Sequence, residues 1–250
     1  MKLWQKDYQV LSSIETFTVG RDREMDLLLA PFDILGSLAH IRMLSEVGLL
    51  DAAGFAQLEP ALQALFREAE QGKLLIEEGV EDIHSQVELL LTRQLGEAGK
   101  KIHSGRSRND QVLVDLRLFF RAEIQQIVQL METLFNRLQV LSEEHKNVLL
   151  PGYTHFQVAM PSSFGLWFGA YAESLADDLQ LFHAAYQIIN QNPLGSAAGY
   201  GSSFPLNRRR TTELLGFGDL NYNVVHAQMG RGKSELVLAF GLSSLAHTLG

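Results

Sequence analysis

At 250 residues with 46% hydrophobic side chains, the chain is long enough to bury a substantial core, and its 20% charged residues are an ordinary share for a globular protein. A formal charge of −8 argues against a general nucleic-acid binder, while the lack of cysteine excludes disulfides, cysteine-ligated metals and thiol catalysis and is compatible with a reducing compartment. The start has no apolar core of signal-peptide length, and no run approaches a membrane span, so no membrane association is expected and the cytoplasm is the default location.

In chain order, Asp33 to Leu49 and Phe55 to Gln71 read as short helices, the first interrupted by Gly36 and ended by Gly48. Glu81-Asp82-Ile83-His84, with Glu88, gathers carboxylates around an imidazole. No second histidine at helical ligand spacing accompanies His84, so no metal is expected there. From Gln111 to Leu150 there is neither glycine nor proline, and apolar residues from Leu113 to Leu141 recur at steps of three or four. That stripe predicts a helix from Gln111 to about Lys146, roughly 50 Å long at 1.5 Å per residue.

Leu150-Pro151-Gly152 ends this helix, and Pro161 is expected to open the next, since a first-turn proline loses no helical hydrogen bond. A second stripe runs from Phe164 through Phe182 to Ile189, and a third helix is expected from Lys233 to the end. No sustained period-two alternation appears. The expectation is an all-α fold: a small helical N-terminal domain over residues 1–108, then the first long helices of an elongated bundle over residues 109–250. Three helices cannot cover such long apolar stripes. Either partner subunits or further helices of the same chain must do so.

Three segments carry chemistry. Lys101 to Gln111 packs cations, hydroxyls and amides just before the long helix, which suits a multiply charged anion, though a capped and solvated helix start has the same composition. Pro151 to Gln157 places His155 in the loop between the two long helices, where it is either an acid–base group or an ordinary polar surface residue. Asn192 to Ser203 is rich in glycine and serine, fit for close backbone approach to a ligand or for tight packing, and Arg208-Arg209-Arg210 reads as a solvated face.

Taken in order, these segments resemble the argininosuccinate lyases of the fumarase and aspartase superfamily. The resemblance is carried by Lys2-Leu3-Trp4, Asp33 to His40, Glu81 to His84, His103 to Gln111, Pro151 to Gln157, and Pro193 to Ser196 with Leu214 to Phe217. Gly105 to Gln111, Gly-Arg-Ser-Arg-Asn-Asp-Gln, is specific to this branch. The resemblance implies elimination of fumarate from argininosuccinate to give arginine, without cofactor or metal, in a homotetramer whose central bundle draws helices from all subunits. It also implies roles by position: His155 as the acid–base residue; Asn109, Thr154 and Gln157 as substrate-binding residues; Arg106, Ser107 and Arg108 shaping the carboxylate pocket; and His84 in support. The two loops lie at opposite ends of one predicted helix, so the active site is expected to be shared between subunits.

The chain also departs from the family pattern. Gln5-Lys6-Asp7-Tyr8 replaces the usual Gly-Gly-Arg-Phe, Asp22 falls where a substrate-contacting serine is usual, and Gly230-Arg231-Gly232-Lys233 replaces an acidic-Arg-Asp turn. The family's mobile Gly-Ser-Ser-x-Met-Pro loop, with its catalytic serine, is expected beyond residue 250, so these 250 residues alone are expected to be inactive. Two alternatives stay open: a lyase for another succinyl or fumaryl adduct, and a non-enzymatic, crystallin-like scaffold.

Overall fold

Helix α1 (Asp22–Glu46) starts well before Asp33 and runs through both Pro31 and Gly36. Gly36 allows a close approach, since a Cβ there would stand 3.2 Å from Val114 Cγ1. The computed structural model describes residues 20–250 together with Ile14 and Phe17; Lys2-Leu3-Trp4 and Gln5 to Tyr8 lie outside the described residues. By length and composition α1 could cross a membrane, which corrects the expectation that no run approaches a span. Its apolarity has another cause. Ile34, Ile41, Met43 and Leu44 are core residues, and Asp33, Ser37 and His40 are buried on the same helix, so it is the central core helix of its unit.

By packing, the chain divides into two compact units. The first comprises the described residues up to Phe119 together with Asn190–Arg231. Here α2 (Ala52–Glu70) and α3 (Ile83–Leu95) join α1 in the main core, with Leu58, Leu62, Val87 and Leu91 buried among its residues. Both are capped by aspartate: Asp51 accepts from Gly54 N at 2.6 Å and Asp82 from Ser85 N at 2.8 Å, each satisfying an orphan N–H of a first turn. Short α4 (Glu97–Lys100) and a 3-10 turn (Lys101–His103) lead to α5 (Arg108–Glu144), one unbroken helix that starts and ends close to the predicted bounds. The first turns of α5 add a second core of Val114, Leu118, Leu194 and Phe217. The unit closes with α7 (Arg208–Leu214), α8 (Val224–Met229) and a two-residue parallel pairing of β3 (Gln191–Asn192) with β4 (Asp219–Leu220).

The second unit comprises Phe120–Ile189 and Gly232–Gly250. The rest of α5, with α6 (Phe164–Ile189) and α9 (Lys233–Leu249), buries Ile124, Met131, Leu175, Phe182, Ala185, Ile189 and Leu238. Between α5 and α6 the sequence suggests a loop, but the chain forms an antiparallel hairpin of β1 (Leu149–Thr154) and β2 (Gln157–Ser163). Pro161 therefore lies in a strand opposite Pro151 and does not open a helix. Ser163 does so, its hydroxyl accepting from Leu166 N at 3.1 Å. Helices dominate both units. The architecture is all-α with a small β hairpin.

Candidate active site

In the first unit, α5 opens with a reciprocal cap. Ser107 Oγ accepts from Asn109 N at 3.3 Å, and the Asp110 carboxylate accepts from Ser107 N at 2.9 Å. The cap is thus Ser107. Asn109 is exposed on this turn, and Arg231 Nη2 donates to its carbonyl at 3.4 Å. Arg231, in the turn that departs from the family pattern, is a cation beside Asn109 that spacing alone did not point to.

The two arginines flanking Ser107 have protein partners. Arg106 is buried, donating to Ser37 Oγ at 3.1 Å and to the Ile102 carbonyl at 2.9 Å. Arg108 is partly buried. It forms an ion pair with Asp82 at 2.6 Å and also donates to Ser85 Oγ, which ties the start of α5 to the start of α3. Arg106 therefore holds the loop backbone at Ile102, and Arg108 holds the start of α5 to α3.

Below this turn lies a buried charge cluster. His84 Nδ1 donates to Asp33 Oδ1 at 2.8 Å and stands 3.6 Å from Asp115 Oδ2. Burial alone would depress the imidazole, but the carboxylates of Asp33 and Asp115 outweigh it and push His84 up to about 9. Burial, reinforced by neighbouring Asp33, raises the Asp115 carboxyl well above the ordinary carboxylate range. The ligand atoms of Asp33, His84 and Asp115 lie within 4.8 Å of one another, close enough to hold a cation. The Asp33 and Asp115 carboxyls also sit near the protein's own cations, protonated His84 and buried Arg106, so the cluster carries its own counter-charge. His40, fully buried, is driven well below its ordinary value by burial and by Arg106, and its Nε2–H donates to the Ser104 carbonyl at 2.8 Å.

The Asn192–Ser203 segment is held by backbone contacts. Asp110 Oδ2 accepts from Gly195 N and Ala197 N, each at 2.9 Å, with Ala197 at φ +51°. Arg208 does not lie on a solvated face, a correction to the expectation: its guanidinium donates to the carbonyls of Leu194 at 3.0 Å and Asn221 at 2.8 Å. Arg210 pairs with Glu46 at 2.8 Å.

In the second unit, Thr154 and Gln157 are the closing pair of the hairpin, and His155-Phe156 is its two-residue turn. Both turn residues have positive φ, +49° and +61°, the left-handed conformation for which Asn-Gly is the favoured pair. Holding two residues with a Cβ there costs about 1–2 kcal/mol each. Thr154, His155, Phe156 and Gln157 are all exposed, so a short strained turn presents the imidazole outward.

A family model described as Lyase matches residues 7–241. Among curated relatives, the argininosuccinate lyase of Bacteroides thetaiotaomicron is 64% identical over 248 residues, 99% of this chain and 56% of the relative. That of Thermotoga neapolitana is 41% identical over 99% of this chain and 62% of the relative. The chain thus spans little more than half the length of the curated relatives it matches. Among solved structures, EDDS lyase in complex with formate superposes with a TM-score of 0.77 at 30% identity, over 89% of this chain and 44% of that one. A fumarate lyase:delta crystallin from Brucella melitensis bound to cobalt gives 0.73 at 15% identity, over 97% of this chain and 60% of that one, a likeness of fold alone.

Proposed function

The chain belongs to the lyase family, and on that premise we propose that the full-length protein is an argininosuccinate lyase, releasing fumarate from argininosuccinate and leaving arginine, in the cytoplasm and without a cofactor. The observation that carries this reading is the 64% identity to argininosuccinate lyases over 99% of the chain. In the reaction a base takes a proton from the succinyl carbon next to the one that bears nitrogen. The C–N bond breaks as the C=C bond of fumarate forms, and an acid protonates the departing guanidino nitrogen. The carbanion-like intermediate is stabilised by positive charge and N–H donors near the succinyl carboxylates.

His155 is the proposed acid–base residue, with Thr154 and Gln157 beside it on the hairpin tip and Asn109 binding substrate at the start of α5. Arg231 beside Asn109 suits a carboxylate, and Arg106, Ser107, Arg108 and His84 act by holding the loop and the helices under it. The proposed assembly is a homotetramer with active sites shared between subunits. Supporting this, α6 and α9 of the second unit expose Leu166, Trp167, Tyr171, Leu236 and Phe240.

The test is fumarate release from argininosuccinate by the purified full-length protein, followed by ultraviolet absorbance. His155→Asn should lower kcat by about 10²–10⁴ with the fold unchanged by circular dichroism. Turnover of adenylosuccinate but not argininosuccinate would sink the reading. A second reading, a lyase for another succinyl adduct, is favoured by the likeness to EDDS lyase; equal or better turnover of such an amine adduct would select it.

A further inference from the structure

The Asp110 carboxylate is fully buried and takes three backbone N–H donors: Ser107 through one oxygen, Gly195 and Ala197 through the other. One side chain thus joins the cap of α5 to a loop more than eighty residues further along the chain. The chain of contacts continues. Gln228 Nε2 donates to Ser196 Oγ and to the Ala197 carbonyl, both at 3.1 Å, which fastens α8 to the same loop. Just past α8, Arg231 reaches back to the Asn109 carbonyl, adjacent to Asp110. Asn109, Asp110, the 195–197 loop, Gln228 and Arg231 form a closed ring of contacts, with the buried carboxylate at its base and an exposed amide and guanidinium at its mouth.

The ring also explains a strained backbone. Ala197 at φ +51° and Gly195 at φ +85° turn both N–H groups toward one acceptor, a concave arrangement that binds anions, and here the anion is the protein's own. A carboxylate is well suited to the position because each oxygen offers acceptor sites only. An amide side chain would turn an NH2 group toward one set of donors. The loop partners of Asp110 are distant in sequence, so no local pattern encodes this link.

We propose that Asp110 is a positioning residue for substrate binding: by locking the 195–197 loop to the first turn of α5, it sets Arg231 beside Asn109 so that the two engage one carboxylate of the substrate. This rests on the reading of Asn109 as a substrate-binding residue. Asp110 itself touches no substrate. The geometry it sets governs affinity more than the chemical step, because the ring does not include the acid–base residue.

The test uses two variants of the full-length protein. Asp110→Asn keeps the shape and leaves either the cap or the loop without an acceptor, while Gln228→Ala spares the cap and cuts the link between loop and α8. The expected result in both is a rise in KM for argininosuccinate of about tenfold with kcat within about threefold, together with faster amide exchange at Gly195 and Ala197 in Asp110→Asn. Unchanged KM despite faster exchange overturns the proposal, as does a parallel loss of kcat and folded content in both variants. If the unaltered protein releases no fumarate, the functional reading fails separately. The positioning claim is then read from calorimetric binding of succinate, weakened in both variants if it holds; equal binding by all three proteins, or none by the unaltered one, refutes it.

Discussion

At the scale of single residues, two buried histidines give stability opposite responses to pH. His84 has its folded value raised to about 9, so the stability it contributes is fully present below the unfolded value near 6.5 and is lost as pH rises through 9. A difference of that size corresponds to about 3 kcal/mol. His40 is depressed, so the unfolded chain takes up a proton that the folded chain refuses, and stability falls as pH drops below about 6.5. Melting temperature should therefore fall as pH is raised from neutrality to about 9.5, with the raised Asp115 carboxyl acting in the same sense as His84 and against His40. His84→Gln should flatten the alkaline side while costing about 3–5 kcal/mol, because the Asp33 carboxylate loses its buried counter-charge. An alkaline limb equally steep in the variant would show that His84 is not its source. A supporting role for His84 could be inferred from its motif, but the carboxylates facing it could not: Asp33 and Asp115 come from other helices, and no local pattern encodes contacts at that separation.

At the scale of elements, glycines decide how closely helices approach. A Cβ on Gly165 would lie 2.5 Å from both Lys146 Cα and Ser142 O, backbone that cannot move aside, whereas one turn later Gly169 has only Ser142 Oγ at 3.4 Å. Gly165→Ala should thus lower stability by about 1–3 kcal/mol through overpacking. Gly169→Ala should be neutral or gain up to about 1 kcal/mol from helix propensity. Thermal unfolding of the two variants, ranked in the reverse order, would refute the packing argument. The long helices themselves are legible because α5 and α6 carry unbroken three-four stripes. The hairpin between them is not: β1 and β2 are largely exposed on both faces, so burial imposes no alternation of polar and apolar residues. Its turn is hidden as well, since His155-Phe156 lacks the Asn-Gly signature that its conformation favours.

At the scale of the molecule, the second unit does not cover its own apolar surface. Leu130 and Leu134 on α5, Leu166, Trp167, Tyr171 and Leu179 on α6, and Leu236, Phe240 and Leu242 on α9 are exposed, although each belongs to a helix whose opposite face is core. A helix apolar around most of its circumference fits the interior of a larger bundle, and contiguous apolar patches of this extent mark interaction surfaces. The need for cover is visible in the sequence, where three stripes exceed what three helices can hide; the identity of the cover is not, because the same stripe serves a neighbouring subunit or another helix of the chain. Phe240→Asp separates the two. Placing a charge at a buried contact costs several kcal/mol, so if subunits meet there, sedimentation of the full-length variant should show a smaller species than the unaltered protein, with its helical content retained. If the surface is covered within one chain, the same substitution should leave the mass unchanged and lower the melting temperature. An unchanged mass with unchanged melting would mean that Phe240 faces solvent in the assembled protein, and the proposed shared bundle would then have to form without α9.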